Sequence, residues 1–124
     1  MKYMMFIKHT EDYRGKPIPP GLIEAMDGFI GEYAKQGKFI DGAGLKSSHK
    51  GKRVQLRNGQ LKVIDGPFTE SKELVGGYAI VDCESDEEAL DMATKFMELH
   101  RIHWPEFEGE SELRPVETGE PGSQ

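Results

Sequence analysis

At 124 residues the chain is long enough for one domain with a core of its own, and such a core needs no metal or disulfide staple. A net charge of −6 gives no electrostatic support to a nucleic-acid partner, and no apolar run approaches the roughly 18 residues of a membrane span. Cys83 stands alone, which excludes a disulfide within the chain; with no signal-like leader at the start, this points to a reducing cytoplasm.

The first predicted strand runs from Tyr3 to Lys8. Tyr3, Met5 and Ile7 lie on one face, Met4 and Phe6 on the other, so both faces are apolar. His9 ends it. Residues 10–19 read as a polar loop, because turn formers and prolines exclude helix. Pro20 suits a first helical turn, and Leu22, Met26, Phe29, Ile30 and Tyr33 recur at helical spacing up to a stop at Gly37. A short second strand is expected near Gly44 to Ser47. The basic cluster Lys46, Lys50, Lys52 and Arg53 reads as a solvated hairpin rather than a phosphate site.

Residues 52–65 form a predicted hairpin around Asn58-Gly59, with Val54 and Leu56 inward and Leu61 and Val63 continuing the alternation. It leads into the corner Asp65-Gly66-Pro67-Phe68. Pro67 cannot donate to a ladder, Gly66 permits unusual backbone angles, and the Asp65 carboxylate can cap amides of the following turn. Leu74 to Val81 is the next strand, with Tyr78 and Ile80 on one face and Val75, Ala79 and Val81 on the other. Gly76 and Gly77 within it predict a bulge or a close backbone approach. Ser85 and Glu88 have capping-box spacing, and Ala89, Met92, Ala93, Phe96, Met97 and His100 form the stripe of a second helix. Ser111 to Val116 reads as a last, edge strand, and residues 118–124 as a disordered tail.

This order predicts an α+β domain over residues 1–117. It is a ferredoxin-like βαββαβ core with an extra β-hairpin, an antiparallel sheet with two helices on one face. Two strands apolar on both faces need cover on the second face, and the chain has no third long helix for it. A second copy would supply that cover, making a homodimer.

The opening Met1-Lys2-Tyr3-Met4-Met5, the Asp65-Gly66-Pro67-Phe68 corner with Glu70, Lys72 and Glu73, and Gly76-Gly77-Tyr78 carry a resemblance. So do Asp86-Glu87-Glu88-Ala89 and Glu112-Leu113-Arg114-Pro115-Val116. Together they resemble the YCII-related family, in its DGPF branch. The resemblance implies a dimeric α+β barrel and settles no activity. In narrower relatives a His and Asp pair is a proposed active site; His9 with Asp65 is the nearest match here. The resemblance also implies an alternative, a non-catalytic binding or regulatory module linked to extracytoplasmic-function sigma factors.

His9 ends a central strand, where an imidazole facing a cavity could act as a general base; a half-exposed loop residue is the plainer reading. His100 and His103 fall at i, i+3 spacing in a segment that also holds Arg101 and Trp104. Their charge and stacking suit a small anionic or aromatic ligand, while two histidines without a fuller motif fall short of a metal site. His9, Asp65 and His103 are thus the candidate catalytic groups, and His100, Arg101, Trp104 and Tyr78 the candidate ligand contacts. There is no phosphate-cradling glycine loop, nucleotide fingerprint or nucleophile elbow, so no cofactor is expected. The residues leave open whether the chain is a cofactor-independent enzyme using His/Asp proton transfer or a binding module.

Overall fold

The computed structural model describes residues 1–9, 17–68 and 74–117. The expected polar loop, the Glu70, Lys72 and Glu73 turn and the expected tail lie wholly or largely outside these residues. The elements are β1 (Lys2–His9), α1 (Pro20–Lys35), β2 (Phe39–Gly44), β3 (Lys52–Arg57), β4 (Gln60–Asp65), β5 (Leu74–Asp82), α2 (Asp86–His103) and β6 (Gly109–Pro115). A short helical turn, Ser48–Lys50, precedes β3. The main sheet has the order β2-β5-β1-β6 with antiparallel neighbours throughout, consistent with a ferredoxin-like α+β fold. β3 and β4 form a separate two-stranded sheet. The second strand lies earlier than predicted, because Phe39 pairs with Val81 and starts the ladder while Ser47 already caps the short turn.

Both helices cover the same face. Tyr3, Met5 and Val81 from the sheet and Ala89, Met92 and Ala93 from α2 form the buried core, and Phe29 and Tyr33 of α1 pack against it. Burying side chains the size of Met5, Val81 and Met92 contributes about 1.5–3 kcal/mol each. The Tyr3 phenol donates to the Asp86 carboxylate, which ties β1 to the start of α2 and pushes the phenol's pKa up to about 12. Ser85 Oγ accepts from Glu88 N at 3.1 Å, the predicted cap. Helix α1 stops at Gly37, whose φ of 73° closes the last turn.

Among the described residues no helix covers the other face. Register places Met4 beside Ile80 and Phe6 beside Tyr78, so these four side chains share it. All four are half-buried, and Lys8 pairs with Glu112 at their border.

The hairpin turns at Asn58-Gly59 as predicted, both residues having positive φ. Its faces are reversed. Val54 is 66% exposed, Leu56 69%, Leu61 73% and Val63 64%, and they pair across the strands as one apolar ladder. The polar face turns inward instead, because the Arg53 guanidinium stacks 3.8 Å above the buried Phe68 ring.

The Asp-Gly-Pro-Phe corner is a structural lock. Gly66 N donates to Gly51 O at 2.9 Å, and Phe68 N donates to Ser48 Oγ at 3.1 Å. The Gly66–Pro67 peptide is cis. The Asp65 carboxylate does not cap amides. It pairs with Lys52 Nζ at 2.6 Å on an exposed stretch of the hairpin.

Candidate functional site

A cleft of about 490 Å³ opens between α1 and the sheet. Amphipathic spacing brings Leu22, Met26 and Phe29 to one wall, and alternation in β1 brings Met5, Ile7 and His9 to the other. The end of α2 closes it with His100, Trp104 and Phe107. The size falls within the range of small-molecule sites.

His9 owes its place to Gly76. The ladder pairs Ile7 with Gly77 and then Lys8 with Val75, so Gly76 is an extra residue bulged out of β5. A side chain there would begin 2.3 Å from His9 Nε2. The predicted bulge and the predicted close approach are therefore one feature, a seat for an imidazole ring.

His100, on the end of α2 that closes the cleft, is only 7% exposed. Its Nδ1 lies 3.1 Å from Phe96 O. A carbonyl only accepts, so in the neutral ring Nδ1 carries the proton and Nε2 keeps a lone pair. The ring is flanked edge-on by Phe96 and at a tilt by Phe107, with centroids 5.2 and 5.0 Å away. Phe107 also meets Trp104 at 5.2 Å and His9 edge-on at 6.4 Å. One phenyl ring thus links both imidazoles and the indole; sequence reasoning passed over Phe107, whose only signal was its place in the aromatic-rich segment after α2.

Burial holds the His100 imidazolium below its ordinary pKa of 6.5. The folded protein then binds fewer protons than the unfolded chain in the interval just below that value. Stability from this group is complete above the unfolded pKa and falls as the pH drops toward the folded one. Urea midpoints measured between about pH 7.5 and about pH 5 should decline, and His100→Phe should flatten part of that decline. An identical slope in the variant would mean that His100 is not the group responsible.

The other predicted residues are dispersed. Asp65 lines neither the cleft nor its neighbour, and among the described residues β4 pairs only with β3, so His9 and Asp65 are not on adjoining strands. His103 is exposed beside Gly21 at the start of α1, away from the wall that buries His100. Helix α2 does continue through both histidines, but its roll turns one in and one out. Arg101 is exposed and paired with Glu98. Tyr78 borders the cleft, while register places its ring on the opposite face beside Phe6. Among the described residues no three His, Cys, Asp or Glu side chains come together as a metal set. Burial pushes the Cys83 thiol up, away from thiolate chemistry.

A second cavity of about 510 Å³ adjoins the first. His9, Leu45, Ser47 and Gly76 line both. Its remaining wall includes Lys46, Lys50 and Arg53, the cluster read from sequence as solvated, together with Phe68 of the corner.

A model of the YCII-related domain matches residues 1–97, from β1 through most of α2. The chain belongs to the YCII-related family. An uncharacterised protein of Rhizobium meliloti (strain 1021) is 32% identical to it over 91 residues, 73% of this chain and 69% of the relative. The matched part of this YCII-related chain contains His9, the whole corner and Gly76, but stops short of His100, Trp104 and Phe107. No helix among the described residues is long and apolar enough to cross a membrane.

Proposed function

We propose that this YCII-related protein binds a small, mostly apolar or aromatic organic molecule in the cleft between α1 and the sheet, with His9 and His100 as the groups able to move a proton. The observation that carries this reading is the cleft itself: a roughly 490 Å³ space with apolar walls in which two imidazoles are held by dedicated packing, His9 on Gly76 and His100 on Phe96 O. A filled core would need neither the space nor a buried imidazole with a vacant lone pair. Proton transfer by histidine alone replaces the His9 and Asp65 pairing, since Asp65 sits on the hairpin. The protein works in the cytoplasm without a cofactor, as a dimer whose two open sheet faces, with Met4, Phe6, Tyr78 and Ile80, cover each other.

Trp104 is the only tryptophan and lines the cleft, so its fluorescence reports occupancy. Titration with small aromatic acids and alcohols should produce a saturable change. His9→Ala should weaken binding of a compound that shows it by about tenfold, the loss of one well-placed polar contact. His9→Ala that leaves binding intact but abolishes turnover of the compound would assign His9 to chemistry. No saturable change with any compound would remove the cleft as a site.

A second reading has one observation in its favour. The outward ladder of Val54, Leu56, Leu61 and Val63 is the apolar patch expected of a module that docks on a protein partner, such as a component of a sigma-factor pathway.

A further inference from the structure

We infer that the two adjoining cavities are halves of a single site for an organic anion with an apolar tail, the tail lying in the cleft and the carboxylate in the basic chamber. This rests on the reading that the cleft binds an organic molecule, and it adds the chemical class.

The division of labour between the chambers is sharp. The cleft contributes apolar and aromatic side chains such as Ile7, Leu22, Met26 and Phe29. The second chamber contributes Lys46, Lys50 and Arg53 and, among the described residues, no acidic side chain. The shared residues His9, Leu45, Ser47 and Gly76 form the doorway. That doorway is braced, since Leu45 N donates to Gly76 O at 2.9 Å and the Gly76 bulge seats His9. The basic wall is braced as well. Arg53 is stacked on Phe68, and Phe68 is fixed through Ser48 to the turn that carries Lys50. Lys46 and Lys50 enter no ion pair among the described residues.

An amphipathic monoanion satisfies both environments at once. Its tail leaves water for apolar walls, which drives binding, while its head stays near solvent and meets two ammonium groups and a guanidinium. A neutral hydrocarbon would leave Lys46 and Lys50 without the counter-charge that a carboxylate brings. A nucleotide or sugar phosphate would suit the head chamber but would place several hydroxyls against mostly apolar walls, where few groups can hydrogen-bond them.

Decanoate and decanol share a tail and differ at the head, so they separate the two claims. Each is titrated into the full chain and followed by Trp104 fluorescence and by calorimetry. Decanoate should bind about tenfold or more tighter than decanol at low ionic strength, the worth of one or two charge-assisted contacts. That advantage should shrink as salt is raised. The double variant Lys46→Gln/Lys50→Gln should abolish the advantage and leave decanol binding unchanged. Equal affinities for the two probes would mean that the cations are already neutralised, and would overturn the inference while leaving the cleft as a site. So would a double variant that keeps the preference for decanoate. Failure of both probes to bind would overturn the inference and the cleft reading together.

Discussion

Gly66→Ala is expected to cost the fold about 3 kcal/mol, the upper end for an overpacked site. A methyl group there would stand 1.7 Å from the carbonyl oxygen of Ser48 and 2.7 Å from its carbonyl carbon. These are main-chain atoms and cannot rotate out of the way. Relief requires the Ser48–Lys50 turn to retreat. Retreat breaks the Gly66 N to Gly51 O bond at 2.9 Å and the Phe68 N to Ser48 Oγ bond at 3.1 Å, and it unseats a buried phenyl ring. Asp65→Ala, one residue away, should cost less than about 1 kcal/mol, since it removes only an exposed ion pair with Lys52. Urea unfolding of both variants beside the parent protein reads the contrast directly. A Gly66→Ala variant within about 1 kcal/mol of the parent would show that the turn moves freely and that the corner locks nothing. The same turn carries Lys50, so the variant should also lose the decanoate preference if it folds at all.

Phe6→Glu is expected to turn a dimer into a monomer. Phe6 lies on the sheet face opposite the helices, beside Tyr78, with Met4 and Ile80 next along the strands. In a two-fold pairing of such faces each substitution appears twice, so two carboxylates would be buried without partners. Even one uncompensated buried charge costs about 3–5 kcal/mol, so two weaken association by at least about a thousandfold. Sedimentation velocity at micromolar concentration should give a dimer for the parent and a monomer with unchanged circular dichroism for the variant. A monomeric parent would end the proposal of sheet-face pairing. A variant that remains dimeric would move the interface elsewhere, with the hairpin ladder the first place to look.

Most of the scaffold could be read from residue spacing because its signals are local. Ser85 and Glu88 are three residues apart, Asn58-Gly59 is a two-residue turn, and the stripes of both helices repeat within one element. Gly76 was legible too, since a glycine pair inside an apolar strand weakens the ladder and leaves room that a neighbouring group fills. The errors fall where two distant segments decide the outcome. Val54 and Leu56 alternate as an inward face should, but Arg53 stacking on Phe68 outweighs that pattern from 15 residues away. Asp65 suits a turn cap by type, yet Lys52 faces it across the hairpin and takes the carboxylate. Of the candidate site, His9, His100 and Trp104 are brought to one cleft, whereas His103 and Arg101 are not. The i, i+3 rule places His100 and His103 on one side of a helix without saying how far that side rolls from the core. Lys46 and Lys50 look like ordinary surface charges in sequence, and only the fold brings them to a chamber shared with His9.

The hairpin also makes the molecule electrically lopsided. The chain as a whole is acidic, with a net charge of −6, yet its two-stranded arm carries Lys52, Arg53, Arg57 and Lys62 against the one carboxylate of Asp65. Positive charge is gathered on a projection while the excess negative charge stays with the rest of the chain. Such a molecule behaves as a dipole as well as an anion. Near a negatively charged matrix or polymer it turns arm first, so its retention on a cation exchanger reflects the arm rather than the net charge. Salt within the ordinary laboratory range, by shortening the distance over which the arm is felt, sets how strongly that orientation is kept.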